Sequence, residues 1–293
     1  MNRPLDSNKP KIGWYGDGVE YMTVHVINRY SGKGWLHILL GYGLCLLSPG
    51  AWAANGLEST QLPTTVERIK SSIVAIGTSL PTRRPPHRFV GTGFVVGDGT
   101  YVLTNAHVVP RNIDSEQKET LVVFAGEVSG VGARTATLVA DDPAHDISLL
   151  KISGAPLPTF KLGDSDRVRE GEVYAFTGFP MGMVLGFHPA THRGMISALT
   201  PIVEPQDAGQ QLDPKLIKRL RTPFDVFQLD ATAYPGNSGS PLYHPDTGAV
   251  VAILNMVFIK ESKETVLEKP SGIAYAIPIN FAVDLLRKAD VKF

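Results

Sequence analysis

Short runs of β-branched and aromatic residues, separated by glycine-rich turns, fill most of this chain and constrain its fold more than any other feature. The first set contains the runs 72–77, 89–96, 101–104, 121–125, 135–140 and 147–152. The second set contains 172–178, 194–199, 226–230, 249–258 and 272–277, with a further strand beginning near Pro241. Many short strands at such spacing are typical of barrels and sandwiches. We therefore predict an all-β chain made of two similar β units.

Helices are predicted only at the two ends of this β-rich region. Residues 64–72 allow one or two helical turns before the first strand. Asn280 is a candidate N-cap for a final helix over 280–288, in which apolar residues recur four positions apart.

The first 53 residues have the pattern of a secretory signal peptide. Arg29 and Lys33 precede the apolar run 35–47, and Ala51-Trp52-Ala53 provides a cleavage site. The run is shorter than the roughly 20 apolar residues that span a bilayer. We expect cleavage near Ala53 and no stable membrane insertion afterwards, and the alternative is an uncleaved signal anchor.

The segment 1–21 is too long and too polar for the start of a signal peptide, so we expect translation to begin at Met22. Cys45, the single cysteine, lies inside the apolar run, so the exported protein would have no disulfide. Leu44 before it is a poor context for lipidation. These features predict a bacterial periplasmic or secreted protein.

Charge and histidine spacing exclude two other classes of function. Lys plus Arg and Asp plus Glu both number 28, and the pI is about 7.1, so the basic character of a nucleic-acid binder is absent. His188 and His192 are four residues apart, but Pro189 between them argues against a helical metal pair. We expect no metal and no cofactor.

Ser238 lies between two glycines in the stretch 233–243, on a tight connection between two predicted strands. Glycine permits backbone angles that other residues resist. The N–H groups of Gly236 and Ser238 lie on the same turn, and two such donors aimed at one point stabilise the oxyanion of acyl transfer. The alternative is an ordinary surface turn.

A serine nucleophile requires a base and a carboxylate that orients the base. His107 follows a predicted strand and is flanked by small and β-branched residues. Asp146 leads directly into a buried strand, whereas Asp141 and Asp142 are interpreted as turn residues. We predict that His107 and Asp146 form the pair that activates Ser238.

Segments 104–107, 145–151 and 236–241 resemble, in order, the three catalytic blocks of trypsin-like (chymotrypsin-fold) serine proteases. Segments 92–94, 178–180, 194–199 and 274–278 resemble framework motifs of the bacterial HtrA/Deg branch. The similarity covers roughly residues 64–290, within an expected protease domain at 54–290.

This resemblance implies two six-stranded antiparallel β-barrels, at about 64–163 and 164–278, followed by a short C-terminal helix. It implies that His107, Asp146 and Ser238 are catalytic and that the 236–238 turn, with Asn237 at its centre, forms the oxyanion hole. The expected function is that of an exported serine endopeptidase acting on protein or peptide substrates.

The chain also departs from the family. It ends about fifteen residues beyond Pro278, so we expect no PDZ domain. Asn237 stands where zymogen-type relatives have an aspartate, so we expect no activation by N-terminal processing. Insertions at 201–221 and 260–269 are either a lid or partner site or solvated loops.

The resemblance places the specificity pocket at Thr232, Asn255, Met256, Val257 and Ile273. These residues include no carboxylate, so cleavage after Lys or Arg is not expected. Because Val257 and Ile273 are bulky, we expect a shallow pocket that accepts small or medium aliphatic side chains of the substrate.

Three other functions compete with proteolysis. An α/β-hydrolase esterase would need glycine at position 240, where Ser240 stands, and would have its acid and histidine after the serine. A latent or inactive protease fold could instead act as a binding protein, and chaperone-like binding of unfolded chains could accompany proteolysis. The oligomeric state is not predicted.

Overall fold

Two closed antiparallel barrels form the part of the chain that this computed structural model describes, namely residues 61–125, 132–180, 188–201, 224–255 and 272–293. The predicted signal peptide lies outside these ranges, as does the insertion 260–269 and all of 201–221 except Pro201. Met256 and Val257 also lie outside them.

The first barrel contains six strands, with the order β1-β2-β3-β6-β5-β4 around the barrel. Their bounds are β1 Ile73–Ser79, β2 His87–Val96, β3 Tyr101–Asn105, β4 Thr120–Ala125, β5 Gly132–Asp142 and β6 Ile147–Ile152. Pairing of β1 with β4, which includes Ala75 opposite Phe124, closes the barrel. Closure leaves no unpaired sheet edge.

The second barrel repeats this order as β7-β8-β9-β12-β11-β10. Its strands are β7 Val173–Gly178, β8 Ala190–Pro201, β9 Asp225–Asp230, β10 Pro241–Tyr243, β11 Val250–Asn255 and β12 Ile273–Pro278. The predicted fold, two six-stranded antiparallel barrels with a short C-terminal helix, is therefore confirmed.

The buried apolar residues among those described form three clusters, which explain how the barrels hold together. One cluster fills each barrel, around Val95 and Leu150 in the first and Phe176 and Leu229 in the second. The third joins residues of both barrels, including fully buried Phe94 and Tyr243, to the C-terminal helix. Apolar burial between the barrels fixes their relative position, and with it the loops at their junction.

In the described part of the chain, two α-helices flank the barrels: α1 (Leu62–Ile69) and α2 (Ile279–Lys288). The predicted helix at 64–72 begins two residues earlier and passes into a 3₁₀ turn at Lys70–Ser72. No described helix is both long and apolar enough to cross a bilayer.

The prediction that Asn280 caps the final helix is wrong. The helix begins at Ile279, directly after Pro278 at the end of β12, so Asn280 already lies in its first turn. Its side-chain oxygen accepts from the Ser165 N–H at 3.4 Å, and its amide donates to Asp164 at 3.4 Å. Asn280 therefore ties α2 to the segment between the barrels.

Candidate active site

His107 lies at the end of β3, in a single 3₁₀ turn formed by Ala106–Val108. Ala106 and Val108 are buried, whereas the His107 side chain is 31% exposed. Anchoring by the two apolar neighbours therefore presents the ring at the surface of the first barrel.

Asp146 faces His107 from the residue before β6. Its carboxylate accepts from the His107 backbone N–H at 2.9 Å and lies 2.6 Å from Nδ1 of the same histidine. Because a carboxylate can only accept, the proton on His107 resides on Nδ1. The other ring nitrogen, Nε2, is then left as an acceptor.

Asp141 and Asp142, interpreted from the sequence as turn residues, are instead the last residues of β5. Asp141 forms an ion pair with Arg111 at 2.8 Å, and Asp142 contacts His145 at 2.7 Å. Neither carboxylate is recorded in contact with His107, so Asp146 is the acid that the fold brings to that histidine.

Asn255, at the end of β11, completes the surroundings of Asp146. Its side-chain amide donates to Asp146 Oδ2 at 2.7 Å, and the residue is fully buried. The Asn255 side chain therefore faces Asp146, and its predicted place in a substrate pocket stays a prediction. The contact joins positions 109 residues apart in the chain, so no local sequence signal reveals it.

Ser238 lies on the connection between β9 and β10, in a turn with two left-handed glycines. Gly236 has φ +100° and Gly239 has φ +86°, backbone angles that residues with a Cβ rarely adopt. Two glycines of this turn thus adopt the kind of backbone angle that the sequence led us to expect near Ser238.

The N–H groups of this turn divide into two classes. Asn237 donates to the Tyr234 carbonyl, Gly239 to Leu254 and Ser240 to Asn237, at 2.9–3.0 Å. Among the described residues, neither the N–H of Gly236 nor that of Ser238 donates to a protein atom. A peptide's C=O and N–H point in opposite directions, so the Asn237 carbonyl that accepts from Ser240 turns the Ser238 N–H away from the turn.

Thr92 of β2 holds the turn against the first barrel. Its N–H donates to the Ser238 carbonyl at 2.9 Å, and its hydroxyl donates to the Gly236 carbonyl at 2.7 Å. The Thr92 carbonyl in turn accepts from the Thr104 hydroxyl at 2.7 Å. Strands β2 and β3, of which β3 ends just before His107, therefore also hold the Ser238 turn in position.

Gly91 marks the place where the two functional turns approach each other. A Cβ added there would lie 2.8 Å from the Val108 side chain and 3.1 Å from the Ser238 carbonyl oxygen. The Ser238 hydroxyl makes no hydrogen bond to His107 among the described contacts. In unliganded active sites this bond is often long and tightens when substrate binds.

Replacing Gly239 with alanine should lower the free energy of unfolding by roughly 2–6 kcal/mol, measured by chemical denaturation. The new Cβ would collide with the Thr92 carbonyl and the Thr104 hydroxyl, in addition to the strain of a positive φ. Gly171→Ala is the matched control, because Gly171 has φ +87° but nothing within 4 Å of its Cβ position. Equal losses in both variants would contradict the tight packing at Gly239.

The remaining predicted pocket residues are dispersed. Thr232 is half-buried in the segment before the Ser238 turn, and Ile273, at the start of β12, is 43% exposed.

The Asn237 side chain, in the predicted oxyanion hole, is fully buried, and neither its oxygen nor its nitrogen has a partner in the described chain.

His192 packs behind the same turn. Its ring stacks on Phe176 with centroids 5.0 Å apart and lies 6.2 Å from Tyr234, whose carbonyl accepts the Asn237 N–H. Burial lowers the pKa of His192 below its ordinary value of 6.5.

The pH dependence of stability should therefore report on His192. Near and below pH 6.5 the unfolded state binds a proton at this residue that the folded state resists, so the free energy of unfolding falls as the pH falls. His192→Phe should weaken this dependence in denaturation measured from pH 7.5 to 5. An unchanged dependence would show that other groups cause it.

Comparisons with known proteins identify the family of this chain. Residues 91–253 match the family model described as a trypsin-like peptidase domain. A protein of Pseudomonas putida named as a DegP-like periplasmic serine endoprotease is 34% identical over 196 residues, which cover 67% of this chain and 34% of the relative. A protein of the same name from Halomonas elongata is 32% identical over 198 residues, covering 68% and 34%.

The solved structure of the HtrA-type protease AlgW with a tripeptide aligns with a TM-score of 0.55 and 26% identity, over 78% of this chain and 62% of that one. This chain spans 34% of the length of the curated relatives cited above. The family match covers more than half of the chain and includes His107, Asp146 and Ser238. With its two barrels and DegP-like relatives, the chain belongs to the trypsin-like peptidase family.

Proposed function

We propose that this chain is a serine endopeptidase that cleaves peptide bonds through Ser238, His107 and Asp146. The observation that carries the proposal is the arrangement around the Ser238 turn. A histidine with Nδ1 bound to a carboxylate at 2.6 Å is positioned close to a serine turn whose two expected oxyanion donors have no other acceptor in the described chain. The names of the DegP-like and HtrA-type relatives support the same activity.

In the first half of the reaction, Ser238 Oγ attacks the carbonyl carbon of the scissile peptide bond. His107 Nε2 accepts the serine proton, and the Asp146 carboxylate stabilises the resulting imidazolium. The N–H groups of Gly236 and Ser238 donate to the new oxyanion. The C–N bond then breaks, His107 returns the proton to the leaving amine, and an acyl-enzyme remains on Ser238.

In the second half, water attacks the acyl carbonyl while His107 accepts one of its protons. The tetrahedral intermediate uses the same two backbone donors. Its collapse breaks the bond to Ser238 Oγ, which regains its proton from His107 and releases the new carboxylate product.

A fluorophosphonate probe tests this function directly. The purified chain should be labelled at Ser238 alone, as mapped by mass spectrometry, and Ser238→Ala should not be labelled. A folded protein without labelling would favour the alternative, a latent or inactive protease fold that binds other proteins. Labelling of another serine would reject the assignment of the nucleophile.

For substrate preference, we propose cleavage after small or medium aliphatic residues. The candidate pocket residues Thr232 and Ile273 are uncharged, as are Met256 and Val257 in the sequence. Without a carboxylate in the pocket, a Lys or Arg side chain would lose hydration with no ion pair in return. A library of peptides that differ at the cleaved position measures this preference, and efficient cleavage after arginine would reject it.

We also propose that the protein is exported to the periplasm or secreted, with cleavage near Ala53. The signal pattern in residues 1–53 and the relatives named as periplasmic support this location. Fractionation of expressing bacteria followed by N-terminal sequencing is the test. A cytosolic protein that retains residues 1–53 would reject it.

Asn255→Ala should lower kcat about tenfold, because it removes the hydrogen bond to the acid that stabilises the imidazolium. Hydrogen bonds to charged groups contribute about 1.5–3 kcal/mol, and each 1.4 kcal/mol of lost transition-state stabilisation lowers the rate about tenfold. Peptide hydrolysis measures the loss, with Asn280→Ala on helix α2 as a control. An unchanged kcat in Asn255→Ala would limit the role of Asn255 to packing.

A further inference from the structure

Asp146 adopts a backbone conformation that needs external support. Its φ is +55°, in the left-handed region that few residues with a Cβ occupy. Such conformations persist where the surrounding structure over-determines them. On its C-terminal side Asp146 enters β6, where Ile147 is fully buried. On its N-terminal side Asp146 is joined to His145.

Hydrogen bonds to Asp142 hold His145 in place. Its Nδ1 lies 2.7 Å from Asp142 Oδ2, and its backbone N–H donates to Oδ1 of the same carboxylate at 3.3 Å. One carboxylate at the end of β5 thus binds both the ring and the main chain of the residue before Asp146.

Aromatic packing holds the other side of the ring. His145 stacks on Phe281 of α2 with centroids 4.0 Å apart and planes at 17°. Phe224, just before β9, meets the ring edge-on at 4.8 Å. Aromatic pairs at these separations and angles are favourable beyond the area that they bury. The ring is therefore fixed by elements of both barrels and by the C-terminal helix.

His145 is not arranged as a second nucleophile-activating histidine. Within the described chain, its recorded side-chain partners are Asp142, Phe224 and Phe281, and none of them offers a hydroxyl or thiol. Its contacts instead restrict the peptide that joins His145 to Asp146. Rotation of that peptide would displace the Asp146 carboxylate from the two His107 groups that it binds.

We propose that His145 is a positioning residue for the Asp146 carboxylate, held by Asp142 on one side and by Phe281 and Phe224 on the other. This inference rests on the proposed peptidase function. It makes the packing of α2 part of the support of the site, since Phe281 lies in that helix. Displacement of catalytic groups by about 1 Å can lower rates on the order of 100-fold.

Two variants separate the two kinds of contact. His145→Phe keeps a ring to stack on Phe281 but loses the bond to Asp142, and His145→Ala loses both. We expect a graded loss of kcat, several-fold in the first and roughly 10- to 100-fold in the second, with KM changed less than about twofold. His244→Ala, which removes a histidine outside the site, should have the kcat of the unmodified chain.

A second measurement does not depend on turnover. In a Ser238→Ala background, the proton on His107 Nδ1 is observed by NMR, because its short hydrogen bond to a carboxylate shifts the resonance downfield. His145→Ala should move or broaden this resonance, whereas His244→Ala should leave it unchanged.

The outcomes distinguish the inference from the proposed function. An unmodified chain that neither hydrolyses peptides nor labels at Ser238 overturns both. An active chain whose His145 variants fold and keep the kcat, or lose activity through KM alone, overturns the positioning role and leaves the peptidase function intact. If His145→Ala does not fold, His145→Phe decides by the same criterion.

Discussion

Replacing Ser238 with alanine should lower kcat on the order of a million-fold. The variant removes the oxygen that forms the acyl-enzyme, so that only direct attack by water on the bound substrate remains. The backbone donors of Gly236 and Ser238 are retained in this variant, and they should preserve a small rate above that in water. Peptide hydrolysis at saturating substrate measures the loss.

Two controls give this result its meaning. Ser197→Ala changes an exposed serine on β8 and should keep full activity. The double variant Ser238→Ala/His107→Ala should be hardly slower than Ser238→Ala, because residues that act as one unit have non-additive effects. Turnover by Ser238→Ala within about tenfold of the unmodified chain would place the nucleophile elsewhere.

Asp146→Asn should lower kcat on the order of 10⁴-fold. Three donors converge on the Asp146 carboxylate: the N–H and Nδ1 of His107 and the amide of Asn255. An asparagine offers one oxygen and one NH₂ group, so at least one of these donors would face another donor. The simplest relief is a shift of the His107 proton to Nε2, which removes the base that faces Ser238.

Asp141→Asn is the matched control for this substitution. Asp141 is bound to Arg111 at 2.8 Å and has no recorded contact with His107, so its variant should keep kcat and lose only some stability. Measurements of kcat and of the unfolding free energy are needed for both variants. Similar activity of Asp146→Asn and the unmodified chain would contradict the proposed role of Asp146.

Local patterns in the sequence predicted most strands and the three candidate catalytic residues, Ser238, His107 and Asp146. Strands such as β3 and β6 are short apolar runs ended by turn residues. Such a run is recognised from consecutive residues alone, so a buried strand can be predicted there without knowledge of distant contacts. The tight turn at Ser238 is likewise predicted from adjacent residues, because Gly236 and Gly239 permit the positive φ angles that it needs. The two-barrel arrangement followed from the resemblance of three short motifs to a known family.

Other features depend on contacts between distant residues, and no local pattern reports them. Thr92 meets the Ser238 turn across 144 residues, and Asn255 meets Asp146 across 109. Asn280 looked like a helix cap, but its side chain contacts a segment 115 residues away. Which residues become partners in these contacts depends on how the closed barrels pack against each other. That packing is driven by apolar burial, which is non-directional, so a local sequence pattern does not specify the partners.

The positions of most strands along the chain, the identity of the serine turn and the choice of His107 were thus indicated by neighbouring residues in the sequence. The sequence favoured Asp146 over Asp141 and Asp142, and in the folded chain Asp146 alone of the three is bound to His107. The contacts behind the roles proposed for Asn255 and His145 likewise arise from packing between the barrels and helix α2. Local sequence indicates where the strands and turns lie, whereas barrel closure and barrel packing determine which turns meet.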